Sequence, residues 1–206
     1  GNAYTRSGEW TPGALSGPGY PNDVILGSSA NNSSLTVGNE VLHMRGNFTF
    51  AVAGSALTVA GGRINIGKSW INNGTTPNFT AGTGTIAFTG TGNETIGGTN
   101  TNAGGYAFYD LGINKSGGGS VTLSRAITVA NTLSVDGNGI FILNGFNLTV
   151  TSIYGTVTAA IIRNNTAINI TLTITNGNSN TFAGAIQNGS TGTISIFKSG
   201  AGTQGF

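Results

Sequence analysis

The chain has no cysteine, one histidine, one methionine and only 14 charged residues among 206. Without thiols there can be no disulfide, no thiolate nucleophile and no cysteine-ligated metal. A lone histidine, His43, rules out a multi-histidine centre. Eight basic residues against six acidic ones give a net charge of +2 and an isoelectric point near 9.2. They form no Lys/Arg cluster, so the phosphate-binding footprint of a nucleic-acid partner is missing. No run approaches the roughly 18 apolar residues of a membrane helix, so no membrane insertion is expected. No segment shows a 3.6-residue apolar period, and almost no helix is expected.

The acids are as scattered as they are few. Glu9, Asp23, Glu40, Glu94, Asp110 and Asp136 stand singly, whereas calcium takes about six to eight oxygen ligands, usually with several carboxylates close together. A lyase or glycosidase would need paired carboxylates in a groove, and no pair offers itself. Asp136-Gly137-Asn138-Gly139 reads as a plain turn rather than a calcium loop. Nothing resembling a nucleophile elbow accompanies His43, which reads as an outward strand residue. No catalytic, cofactor-binding or metal-binding residue is nominated, and no enzyme activity or cofactor is expected.

What the chain does have is turn and strand chemistry: 108 of its residues are Gly, Thr, Asn or Ser. Gly, Asn and Ser supply turns, while Thr with Val, Ile and Phe supplies strands. Proline is confined in a telling way, with Pro12, Pro18 and Pro21 in the first 23 residues. So dense a set removes too many ladder donors for a sheet. Residues 1–23, which also hold Tyr4, Trp10 and Tyr20, are therefore expected to be an N-terminal cap or docking segment, and residues 24–206 a single repetitive β-domain.

Within 24–206 the strand-like runs are short and bounded by Gly, Asn or Ser. One kernel recurs as Ser-Leu-Thr-Val at 34–37, Ala-Leu-Thr-Val at 56–59, Thr-Leu-Ser-Val at 132–135 and Asn-Leu-Thr-Val at 147–150. Leu and Val alternate with Thr or Ser, so one face turns to a core and the other to water. The first two kernels lie 22 residues apart, about one rung of a three-sided coil. The expected fold is all-β, a right-handed parallel β-helix, or β-solenoid. The alternative is an antiparallel β-sandwich, with Asn-Gly turns such as 73–74 and 138–139 as its hairpins.

Two stretches carry a resemblance. Residues 181–204, which contain Thr-Phe-Ala-Gly-Ala-Ile-Gln-Asn-Gly and Phe-Lys-Ser-Gly-Ala-Gly-Thr-Gln, resemble the autotransporter-associated β-strand repeat. Residues 70–97 and 108–150, with Gly-Thr-Gly-Thr-Ile-Ala-Phe-Thr-Gly and Phe-Tyr-Asp-Leu-Gly-Ile-Asn-Lys-Ser, are similar to repeats of large secreted bacterial surface proteins. The resemblance implies a right-handed parallel β-helix at the cell surface or outside the cell, serving as a stalk, adhesin or fibre.

The function expected on these grounds is structural: an extracellular subunit whose partner is itself, joined head to tail into a filament. Tyr4, Trp10, Tyr20, Phe197 and Phe206 are the candidate docking residues. The alternative is a monomeric adhesin or stalk that meets glycans or surfaces through Trp70, Tyr106, Tyr109 or Tyr154, since aromatic rings stack on sugars. Repeated Thr-x-Thr pairs could present a hydroxyl lattice to ice or polysaccharide. Eleven Asn-x-Ser/Thr sequons read chiefly as internal Asn ladders running from rung to rung.

Overall fold

The computed structural model describes residues 10–28, 31–75 and 78–206. Every strand pairing in it is parallel, and the chain winds through eight successive rungs. It is a β-solenoid. The sandwich alternative fails because, among the described residues, no hairpin joins consecutive strands and the one antiparallel contact is the isolated bridge Ser28–Asn31.

One side of the coil is an eight-stranded sheet that begins with Val24–Leu26, Phe48–Phe50, Trp70–Asn72 and Glu94–Gly97 and ends with Ala185–Gln187. In the first three rungs the second side is Ser34–Val37, Ala56–Val59 and Phe79–Thr80, and the third is Val41–Met44, Arg63–Ile66 and Thr85–Phe88. Higher up, Thr128–Gly137 and Leu148–Tyr154 run through both of these sides without a break. Among the described residues the only helical element is one 3-10 turn, Ala103–Tyr106.

Period-2 alternation explains the core. Inward columns such as Leu42–Ile64–Ile86–Leu111–Leu133–Ile153 and Met44–Ile66–Phe88–Ile113–Val135 stack like on like, every member buried. The rung length varies from 20 residues, where Ser120 faces Ile140, to 27, where Glu94 faces Val121. Leu35 and Leu57 of the first two kernels do stack directly. The other two kernels do not, because Leu133 lies against Ile153 while Val150 lies against Val129.

Lower in the coil, aromatic rings fill the core. Trp70 stacks on Phe48 with ring centroids 5.2 Å apart and meets Phe79 edge-on at 4.8 Å. The longer fourth rung is held instead by amides: Asn72, Asn78 and Asn100 are buried and exchange side-chain hydrogen bonds. The Tyr106 hydroxyl donates to the carbonyls of Asn72 and Asn100.

The sequons have a structural use that differs from amide-to-amide ladders. Among the described residues, at eight corners an Asn or Asp Oδ1 accepts the backbone N–H of the residue stacked on it in the next rung, at 2.6–3.1 Å. Asn147 under Thr171 and Asn169 under Thr193 are examples. Where the chain turns, the side-chain oxygen supplies the acceptor that an N–H must find. Thr and Ser recur above Asn because their hydroxyls can share that oxygen, as Thr193 and Ser120 do.

Candidate functional site

The two ends of the coil are built differently. At the first rung, Trp10 is buried against Phe48 and donates its indole N–H to the His43 carbonyl at 2.8 Å. Gly13 N–H bonds to the Val41 carbonyl, holding the proline-rich segment over the end of the core. Tyr20 lies half-buried under the Arg45 guanidinium. Of the expected docking residues, then, Trp10 is engaged in its own core and Tyr4 lies outside the described residues.

The eighth rung has no such cover among the described residues. Its strand Ile194–Lys198 continues the inward column Leu148–Leu172–Ile196, but Ile196 is 45% exposed where Leu148 and Leu172 are at most 1%. Lys198 extends another inward column, Val129–Val150–Ile174, and its ammonium donates to the carbonyls of Ser199 and Gly200 at 2.8 Å each. Phe197 and Phe206 are both exposed nearby. Gln204 braces this end, its side-chain amide exchanging two hydrogen bonds with the backbone of Ile153 two rungs below.

The side surfaces offer less. Trp70 and Tyr106 are buried, leaving Tyr109 half-buried and Tyr154 exposed as aromatic contacts for a sugar. Among the described residues, threonines form a three-step column, Thr36–Thr58–Thr80, and two two-step ones, Thr95–Thr122 and Thr149–Thr173, the last of which ends on Phe197.

Each described carboxylate has a structural partner. Asp23, Asp110 and Asp136 each accept a backbone N–H from the next rung, and Glu40 accepts the N–H of Gly38. Glu94 forms an ion pair with Lys115 inside the core. Burial pushes the Lys115 ammonium down to about 8. No three His, Asp or Glu side chains gather among the described residues.

His43 belongs to a relay on the third side. Arg63 Nε donates to Asn65 Oδ1 at 2.7 Å, and the Asn65 amide faces His43 Nδ1 at 3.1 Å. With its oxygen committed to Arg63, Asn65 can only donate, so Nδ1 accepts and the imidazole is neutral. Burial and the Arg63 charge both hold His43 below its ordinary value. Above the unfolded pKa near 6.5 both states are neutral. Below it the unfolded chain takes up a proton first, so stability falls with pH. The melting temperature should therefore drop between about pH 7.5 and about pH 5, and His43→Gln should flatten part of that slope. Equal slopes in the two proteins would refute the relay.

Comparison with protein-family models, curated proteins and solved structures finds no match to this chain.

Proposed function

We propose that the chain is a non-enzymatic structural protein of the cell exterior, a subunit that extends head to tail into a filament. The observations that support this reading are the parallel stacking, in which corner oxygens of one rung accept N–H groups of the next, and the edge strand Ile194–Lys198, whose Ile196 stands exposed on a column buried below it. A parallel solenoid also presents unpaired N–H and C=O groups along such an edge. A strand laid on it would bury Ile196, pack beside Phe197 and complete the ladder. Because the two ends of the coil differ, the contact is heterologous and repeats without closing. The structural use of every described carboxylate supports the non-enzymatic side of the proposal.

The test is electron microscopy of the concentrated chain near neutral pH, paired with light scattering. Filaments should appear with an axial repeat of about 38 Å, eight rungs at the usual strand spacing. The double substitution Ile196→Lys, Phe197→Asp should keep the protein monomeric while leaving its circular dichroism unchanged. Monodisperse wild-type rods at high concentration would overturn the proposal, as would filaments that persist in the double variant. Deleting residues 1–23 is a poorer test, since it removes Trp10 from the core.

A further inference from the structure

With only 14 charged residues in the chain, it is notable that two of them, Glu94 and Lys115, lie inside the coil. Alternation puts them there. Lys115 follows Leu111 and Ile113 on the inward parity of Asp110–Lys115, and Glu94 shares the inward parity of Ile96. The column on which Glu94 sits is otherwise apolar, continuing through Val121, Phe141 and Ile162. The side chains are 0% and 5% exposed and in direct contact, and neither Nζ nor Oε2 has a hydrogen-bond partner elsewhere.

As a plain ion pair this arrangement is hard to account for. Two charges are stripped of water, and the hydrogen bonds that ordinarily satisfy the remaining ammonium protons and the Oε2 lone pairs are missing. A pair of apolar side chains would serve the core at least as well. We propose instead that Lys115 and Glu94 become joined by an isopeptide bond, Nζ to Cδ, which closes the fourth rung into a covalent hoop of residues 94–115.

The chemistry balances without any co-reactant. A proton passes from the ammonium to the carboxylate, a transfer that the apolar surroundings favour because it removes both charges. The lowered basicity of Lys115 acts in the same direction. The Nζ lone pair then attacks Cδ, an N–H proton moves to the departing oxygen, the C–N bond forms and the C–O bond breaks. One water leaves, and no atom changes oxidation state. The fold supplies what such a condensation lacks in solution, an amine and an acid held against each other away from water. The product amide is neutral, so condensation relieves the desolvation that the ion pair suffers. Pulling the two ends of a solenoid apart unwinds it rung by rung, and a closed hoop at mid-coil would stop that unwinding in a chain that has no disulfide to do so.

The experiment is the intact mass of the purified chain under denaturing conditions, followed by peptide sequencing. The mass should be one water lighter than the sequence requires, and digestion should release a branched peptide joining Glu94 to Lys115. Lys115→Met should restore its own full sequence mass. An unmodified wild-type mass would overturn the proposal. So would a water deficit that survives in Lys115→Met, because Asp136-Gly137 can lose water as a succinimide and would then be the source.

Discussion

Trp70→Ala is expected to cost about 3–5 kcal/mol, the range for removing a large buried aromatic side chain. Domains of this size are stable by only about 5–15 kcal/mol, so the change should bring the urea midpoint down steeply. The indole is fully buried, stacked on Phe48 and edge-on to Phe50, Phe79 and Phe108 at 4.8–5.4 Å. It thereby joins rings from the second, third and fourth rungs, and no neighbour can collapse into the space without leaving its own column. Trp70→Phe should be far milder. The indole Nε1 has no hydrogen-bond partner, so phenylalanine removes a desolvated donor while keeping a ring in the stack, and the loss should stay below about 1.5 kcal/mol. Trp10, the other tryptophan, remains as a fluorescence reporter in both variants. A loss under about 1 kcal/mol for Trp70→Ala would mean that the aromatic stack is not what holds the lower coil together.

The architecture was legible because solenoid physics is local. An inward Leu or Val every second residue and a turn residue at each corner are one-rung properties, and Leu35 over Leu57 shows that the 22-residue kernel spacing was a true rung. The rung count was harder to see, since corner insertions change rung length from 20 to 27 residues. Two kernels of the same polar–Leu–hydroxyl–Val pattern, at 132–135 and 147–150, consequently occupy different sides of the coil. Trp10 fell within the segment expected to be a cap or docking segment, but nothing local said that its ring would turn back onto Phe48. The buried pair was missed for a different reason. Charged residues are read as solvated by default, yet the parity of Leu111, Ile113 and Lys115 was already in the sequence and pointed the lysine inward. The partner could not be found that way, because Glu94 lies at the other end of the rung.

The Asx corners and the uncovered end are connected by the same geometry. Each rung acts as the template for the next: its carbonyls and its corner oxygens accept the N–H groups stacked on them, and its inward residues set the floor of the next layer. The eighth rung offers such a template. Gln187, Thr193 and Gln204 belong to strands or corners bonded to the rung below, and the Ile196 side chain stands where a further apolar layer would rest. This is why the proposed filament contact is placed on that edge rather than on the flat sides, whose threonine columns are short and whose exposed aromatics are isolated.

Gly98→Ala should be among the most damaging substitutions that add a single carbon. Gly97 stacks on Ile71, which sets Gly98 directly on Asn72. Its φ is +126°, a region that a side chain resists, and a β-carbon there would lie 2.1 Å from the Asn72 carbonyl oxygen and 2.6 Å from its nitrogen. Backbone strain of about 1–3 kcal/mol and overpacking of about 1–3 kcal/mol act together, because the obstacle is backbone and cannot swing aside. The displaced residue is also the hub of the buried amide cluster. The Asn72 carbonyl accepts from Asn100 N–H and from the Tyr106 hydroxyl, and its side chain bonds Asn78, Asn100 and Gly105. Gly118→Ala separates the two contributions. Gly118 has a φ of +75° with nothing within 4 Å of the added carbon, so it should lose only the left-handed penalty of about 1–2 kcal/mol. Urea unfolding of both variants decides the matter. If Gly98→Ala is no worse than Gly118→Ala, the close stacking of the fourth rung on Asn72 is not a source of stability, and the amide cluster must tolerate a shift of its central strand.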